Sequence, residues 1–180
     1  MEHTPQSFGD EPGADLGFQP TLAAPNGPRL LAVPIGERLR EAQAALEGAP
    51  DYFLRTDGAL PRATAAAELA AEAEADPLRH VFALVPRSGP AVGLLDLYLH
   101  HPEPGVVHVG LLLFREACQG LGYGRETIGS LEHAAARAGF TALRCSVGDE
   151  SPDATAFWER LGFEPAGRLD DGVTVYEKRV

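Results

Sequence analysis

Lysine is almost missing from this sequence. Lys178 is the single lysine among 15 basic residues, a compositional bias rather than a sign of mechanism. Basic charge as a whole is also scarce. Fifteen Lys and Arg face 26 Asp and Glu, so the net charge is −11 and the pI about 4.9. That balance argues against binding nucleic acid through a basic surface. The acidity is compatible with attracting a cationic small molecule, and equally with acids that only aid solubility. Cysteine is scarce too: Cys118 and Cys145 lie far apart without metal-ligand spacing, as expected in a reducing cytoplasm. No apolar run approaches the roughly 18 residues of a membrane span. The N-terminus lacks a basic start and an apolar signal core. These absences point to a cytoplasmic protein with no membrane partner.

What is present is one domain's worth of chain, 180 residues with 44% hydrophobic content. Residues 1–28 hold five prolines, four glycines, four acids and no Lys or Arg, the composition of an extended tail. Phe8 and Phe18 are candidate anchors to the body. From residue 29 to 180 the pattern is that of a single folded domain. LLAVP (30–34) reads as a strand and Gly36–Leu46 as a helix stopped by Gly48. APDYFLRTDG (49–58) reads as a loop, and Pro61 as the opening of an alanine-rich helix ending at Asp76-Pro77. VFALV (81–85), AVGLLDLYL (91–99) and VVHVGLLLF (106–114) read as an antiparallel meander, with turn residues between them. A helix follows over Gly122–Ala138, then a strand at 141–147 and a helix over Pro152–Leu161. A last hairpin (163–169 and 173–180) turns at Asp171-Gly172.

The stretch QGLGYG, Gln119–Gly124, stands between the third meander strand and a helix. A helix start has amide hydrogens without partners and carries partial positive charge. Glycines let the backbone close around an oxyanion. The loop therefore suits a phosphate or diphosphate; the plainer alternative is a glycine-rich helix start that binds nothing. A nicotinamide site would need G-x-G-x-x-G. Gly120 and Gly122 fit, and Asp149 could imitate a ribose-binding acid, but the sixth position is Arg125 and only one strand–helix–strand unit exists. A P-loop would need Lys-Ser/Thr, which is missing.

Q-x-x-G-x-G after an apolar strand resembles the acyl-CoA diphosphate loop of the GNAT superfamily of N-acyltransferases. SPDATAFWERLGF (151–163) resembles a second motif of that family, N-P-x-A-x-x-F-Y-E-x-x-G-F, through Pro152, Ala154, Phe157, Glu159, Gly162 and Phe163. PRLLAVPI (28–35) looks like its first strand. The resemblance covers residues 28–180. It implies a mixed α/β (α+β) fold: a mostly antiparallel sheet of about seven strands, flanked by about four helices and splayed at the acyl-CoA site. Two positions depart from the pattern. Ser151 replaces a frequent asparagine but can still donate one hydrogen bond. Trp158 replaces the tyrosine that often acts as general acid, and an indole N–H cannot fill that role.

The resemblance implies an N-acetyltransferase that moves an acetyl or short acyl group from acetyl-CoA directly to an amine of a small molecule or peptide. Neither a metal nor a covalent enzyme intermediate is expected. Coenzyme A contacts are implied for Gln119, Gly120, Leu121, Gly122, Tyr123, Gly124, Arg125, Ser151, Phe157 and Trp158, with Leu113 and Phe114 backbone on the pantetheine arm. The Leu112 amide is the implied oxyanion contact. Strand alternation places His108 on one face with Gly110, Leu112 and Phe114, as a candidate base or water relay. Asp96, on the face of Tyr98, could bind a substrate ammonium or pair an arginine such as Arg144. Tyr98 and Tyr123 are candidate acids. Asp51, Tyr52, Phe53 and Asp57 are candidates for acceptor choice. His100 and His101 superficially suggest a metal site, but HHPEPG reads as a solvated turn. A homodimer is compatible with the family resemblance. A catalytically silent acyl-CoA sensor on the same fold is the main alternative, supported by Trp158.

Overall fold

The computed structural model describes residues 29–169 and 172–180. The expected tail, residues 1–28, and the first half of the Asp171-Gly172 turn lie outside the described residues. Seven strands form one sheet: β1 (Leu30–Pro34), β2 (Arg79–Pro86), β3 (Gly93–Leu99), β4 (Val106–Phe114), β5 (Ala142–Gly148), β6 (Glu164–Leu169) and β7 (Val173–Arg179). Their order is β1-β2-β3-β4-β5-β7-β6. Every pairing is antiparallel except β4 with β5. A parallel pair needs a crossover, and the crossover is a 15-residue helix, α4 (Tyr123–Arg137).

Five α-helices flank the sheet rather than about four. The others are α1 (Leu39–Glu47), α2 (Pro50–Thr56), α3 (Ala65–Ala75) and α5 (Pro152–Arg160). The extra one is α2, which the sequence reads as a loop. Its seven residues bury nothing completely, so no apolar stripe marks it, although Pro50 occupies a favoured first-turn position. The helix expected from Gly36 begins as a 3-10 turn at Ile35–Arg38 before α1 takes over. The next helix starts at Ala65, not Pro61. Its cap comes from across the fold: the Gln43 side-chain oxygen accepts the Ala66 N–H at 3.0 Å.

Strand alternation divides the core in two. One cluster packs α4 and α5 against Leu95, Leu97, Val107, Val109, Leu143, Cys145 and Val147. The other packs α1 and α3 against Val81, Ala83, Val85, Leu94 and Leu113. Cys145 is buried beside Leu143 and Val147, as its parity predicts. Desolvation alone pushes its thiol pKa up strongly, so it stays protonated and is no nucleophile.

Two irregularities in β4 position the site. The ladder to β3 shifts register between Asp96 and Leu97, where Asp96 pairs with Leu111 but Leu97 with Val109. Gly110 is thus the extra residue of a β-bulge, and a one-residue shift reverses the faces on either side. On the other edge, β4 pairs with β5 only from Val106↔Ala142 to Val109↔Cys145. Beyond that point β5 continues beside β7 as far as Gly148, and β4 leaves it. The sheet is splayed there, as the resemblance implies.

Candidate active site

The splay exposes backbone groups of β4. The Arg115 N–H bonds the Val92 carbonyl at 2.9 Å, which sets the phase of the β3–β4 ladder. With Gly93↔Phe114 and Leu95↔Leu112 as partners, the amides of Leu113 and Leu111 turn toward β3. Those of Leu112 and Phe114 turn the other way, into the gap, where no strand among the described residues meets them. Leu113 is therefore corrected: its backbone belongs to the ladder and its side chain to the α1–α3 core. The Gln119 side chain donates to the Phe114 carbonyl at 3.1 Å, tying the glycine loop to the end of β4.

That loop leads into α4. Gly120 and Gly122 have φ of 73° and 83°, in the left-handed region that favours glycine. A Cβ at Gly120 would meet nothing within 4 Å among the described residues, so the loop stands open to them. Gly122 caps α4, leaving the Tyr123, Gly124 and Arg125 amides as its first turn, while Glu126 N–H already bonds the Gly122 carbonyl at 3.2 Å. Gly124 has a different task. A Cβ there would stand 2.9 Å from Phe157 Cε2, so it permits α4 and α5 to approach closely. Leu121 and Arg125 are exposed, and Tyr123 stacks on Phe114 with centroids 6.1 Å apart. Ser151 precedes α5 and makes no side-chain cap bond.

Trp158 does not line this gap. It is buried between Phe157 and Phe163, with centroids 5.1 and 4.8 Å away. Its place in the motif is a core position, which removes it from the coenzyme contacts.

On the α2–α3 side, a groove of about 540 Å³ reaches the bulge, lined by Tyr52, Phe53, Asp57, Glu72, Gly110 and Leu111 among others. Asp51 is exposed beside it, with its amide bonded to Glu116 at 2.9 Å. Asp57 has no ion pair among the described residues, unlike Glu68 and Glu72, which pair with Arg62 and Arg79. Burial first, then the Asp57 charge, raises the Tyr52 pKa. Tyr98 covers Gly110: a Cβ there would stand 2.7 Å from Tyr98 Cε2. Its pKa is also raised, by burial and then by Asp96. Both phenols hold their protons at neutral pH.

His108 is the clearest correction. It lies opposite Tyr98 in the ladder, so its side chain shares the α1–α3 side, whereas Leu112 and Phe114 pack on the α4–α5 side. The bulge breaks the alternation that would have aligned them. His101 approaches edge-on at 5.4 Å between centroids. Burial, followed by repulsion from His101 and Arg144, lowers the His108 pKa to about 4. The ring is neutral at physiological pH and a weak base. Asp96 is corrected as well. Its carboxylate is held by Arg79, Nε to Oδ1 at 3.1 Å and Nη2 to Oδ2 at 2.8 Å, rather than by Arg144. Arg144 pairs with Glu177 and Glu103 instead. His100 Nδ1 accepts the Gly105 N–H at 3.2 Å within its turn.

A family model described as the acetyltransferase (GNAT) family matches residues 44–163. The chain belongs to the GNAT acetyltransferase family. Among solved structures, the acetyltransferase from Thermus thermophilus is 29% identical with a TM-score of 0.74, covering 84% of this chain and 97% of that one. Spermidine N-acetyltransferase from Vibrio cholerae, in complex with CoA and spermine, is 17% identical (TM-score 0.66; 83% of this chain, 94% of that one). PaiA N-acetyltransferase from Thermoplasma acidophilum, in complex with coenzyme A, is 11% identical (TM-score 0.65; 84% and 98%). The last two share the fold alone. Comparison with curated proteins finds no match.

The residues of this GNAT acetyltransferase fit coenzyme A on their own geometry. An open left-handed glycine loop lies at a helix start, next to two strand amides that no strand among the described residues pairs. No group of three or more His, Cys, Asp or Glu placed to hold a metal occurs among the described residues. No helix among them is long and apolar enough to cross a membrane. Sequence reasoning missed Arg79, the partner of Asp96, and Arg29, which folds over the glycine loop. Neither has a local signal, because each acts on residues remote in the chain.

Proposed function

We propose that residues 29–180 form one cytoplasmic catalytic domain that transfers an acetyl group from acetyl-CoA to a primary amine of a small molecule or peptide. Both substrates are bound together. The observation that carries this reading is the splay of β4 from β5. It leaves the Leu112 and Phe114 amides without a strand partner among the described residues, beside the glycine loop, with an acid-rimmed groove on the far side of the same strand. The loop amides hold the diphosphate, the Phe114 backbone steadies the pantetheine arm, and the Leu112 N–H faces the thioester oxygen. The acceptor enters from the groove, its apolar arm on Tyr52, Phe53 and Leu111 and its ammonium near Asp57. The donor and acceptor thus meet at the bulge from opposite faces of the sheet, an orientation that itself accelerates attack.

The amine nitrogen, once neutral, bonds to the carbonyl carbon as the carbon–sulfur bond breaks. The thiolate leaves with the bonding pair and gains a proton, and the nitrogen loses one. Tyr98, protonated and lying over the bulge, is the candidate acid for this exchange. His108, neutral and weakly basic, orders water rather than titrating. Incubation of the protein with acetyl-CoA and a library of primary amines tests the reading. Thiol release must coincide with an acetylated amine by mass spectrometry. Release that never exceeds hydrolysis, whatever amine is offered, overturns it.

The depressed His108 pKa has a measurable consequence. The acid limb of kcat/KM will follow the acceptor's ammonium, with no inflection near pH 6.5, and His108→Asn will leave its shape unchanged. An inflection between pH 6 and 7 that disappears in the variant would refute the assignment. Stability will behave differently. Between pH 6.5 and about 4 the unfolded chain binds a proton that folded His108 refuses, so stability falls as pH drops through that window. For a ring still partly open to solvent, the contribution is about 1–2 kcal/mol. Denaturant titrations at pH 7 and 4.5 will show a smaller acid loss in His108→Asn.

A further inference from the structure

We propose that Arg29 is a diphosphate-binding residue, contributing a guanidinium donor to the coenzyme A site formed by the glycine loop. The inference rests on the reading of that loop given above. Residue 29 lies outside the segment matched by the family model, which begins at residue 44.

The guanidinium is fixed on three sides. Its Nε donates to Glu126 Oε2 at 2.5 Å, its Nη1 donates to the Leu121 carbonyl at 3.0 Å, and its plane lies 4.8 Å over the Tyr123 ring. The backbone is pinned too, since the Arg29 and Leu30 amides both donate to Glu126 Oε1, at 2.7 and 3.2 Å. Nη2 makes no hydrogen bond among the described residues. It stands 3.3 Å from where a Cβ on Gly122 would be, at the lip of the loop. The side chain is 52% exposed, so a ligand can reach it. A planar fork already ordered by two bonds and a ring loses little freedom when it donates a third.

Charge points the same way. Glu126 sits in the first turn of α4, where a carboxylate opposes an incoming anion. Arg29 neutralises that carboxylate, and its Nη2 stands beside Gly122 in the loop. The loop otherwise offers backbone amides and the exposed Arg125. A charge-assisted bond of this kind is worth about tenfold or more in affinity.

Isothermal titration with coenzyme A and with 3′-dephospho-coenzyme A tests the contact, using wild type, Arg29→Gln, Arg29→Lys and the double variant Arg29→Gln/Glu126→Gln. We expect Arg29→Gln to weaken both ligands at least about tenfold, with a shallower dependence on salt. Arg29→Lys, which keeps the charge and the backbone bonds, will recover part of the loss. Three results overturn the proposal. One is Arg29→Gln binding within twofold of wild type. Another is wild-type affinity in the double variant, because Arg29 would then only mask Glu126. The third is a loss confined to coenzyme A, because the partner would then be the 3′-phosphate. Failure of the wild type to bind either ligand would instead sink the reading of the loop itself.

Discussion

Leu112→Pro will lower kcat by about two to three orders of magnitude while leaving the sheet folded, and Leu113→Pro will not fold. The two residues are adjacent in a strand, yet their amides face opposite edges. The Leu113 N–H lies in the ladder with Leu94, and the residue is buried. Proline there removes a bond of a central strand and leaves a buried carbonyl without a partner. The Leu112 N–H points into the gap left by β5, where the ring replaces only an unpaired hydrogen, the condition under which strands tolerate proline. Leu111 before it is already extended, as a residue preceding proline must be. On the proposed reading the variant loses the donor to the thioester oxygen, and one such donor is worth about 10²–10³ in kcat. Coenzyme A should still raise the melting temperature of Leu112→Pro, because the glycine loop is intact. A variant that folds and keeps kcat within tenfold of wild type would show that the Leu112 amide does not serve the reaction.

Arg79→Met will cost about 3–5 kcal/mol, because it strands the buried Asp96 carboxylate. Asp96 is 4% exposed, and its two oxygens are taken by two nitrogens of Arg79. The same guanidinium pairs with Glu72 and lies 4.9 Å over the Tyr98 ring. The Asp96 hydrogen bond is the largest influence raising the Arg79 pKa, as expected of an ion pair held away from water. For a domain of this size the loss corresponds to a fall of about 10 °C in melting temperature. Arg79→Met/Asp96→Leu should regain most of it, since a matched apolar pair leaves no charge uncompensated. The contrast also settles what Asp96 does. If the carboxylate serves Arg79, Asp96→Asn will destabilise the protein while leaving the acceptor KM within twofold. A tenfold rise in that KM at unchanged melting temperature would return Asp96 to the substrate.

Much of this architecture is written locally in the chain. The apolar run at 106–114 and the alternating segment at 141–147 become β4 and β5 because apolar patterning needs no partner to be visible. The glycine loop is equally local: left-handed backbone at Gly120 and Gly122, a helix behind it, and an apolar strand before it. These features, with the SPDATAFWERLGF segment, make the family legible in the sequence itself. Helix α2 was missed because seven residues without a buried face carry too weak a periodic signal.

The geometry of the candidate site was decided elsewhere. Which face His108 occupies depends on the bulge at Gly110, and a bulge belongs to two strands rather than one. Which amides of β4 stay unpaired depends on where β5 departs. Asp96 chose Arg79, 17 residues away, over Arg144, and Arg29 reached Glu126 across 97 residues. Sequence alone determined the strands, most of the helices and the glycine loop, because backbone conformation and apolar spacing act between near neighbours. Tertiary structure alone decided register, splay and ion-pair partners, because each is a choice among residues that meet only once the sheet has closed.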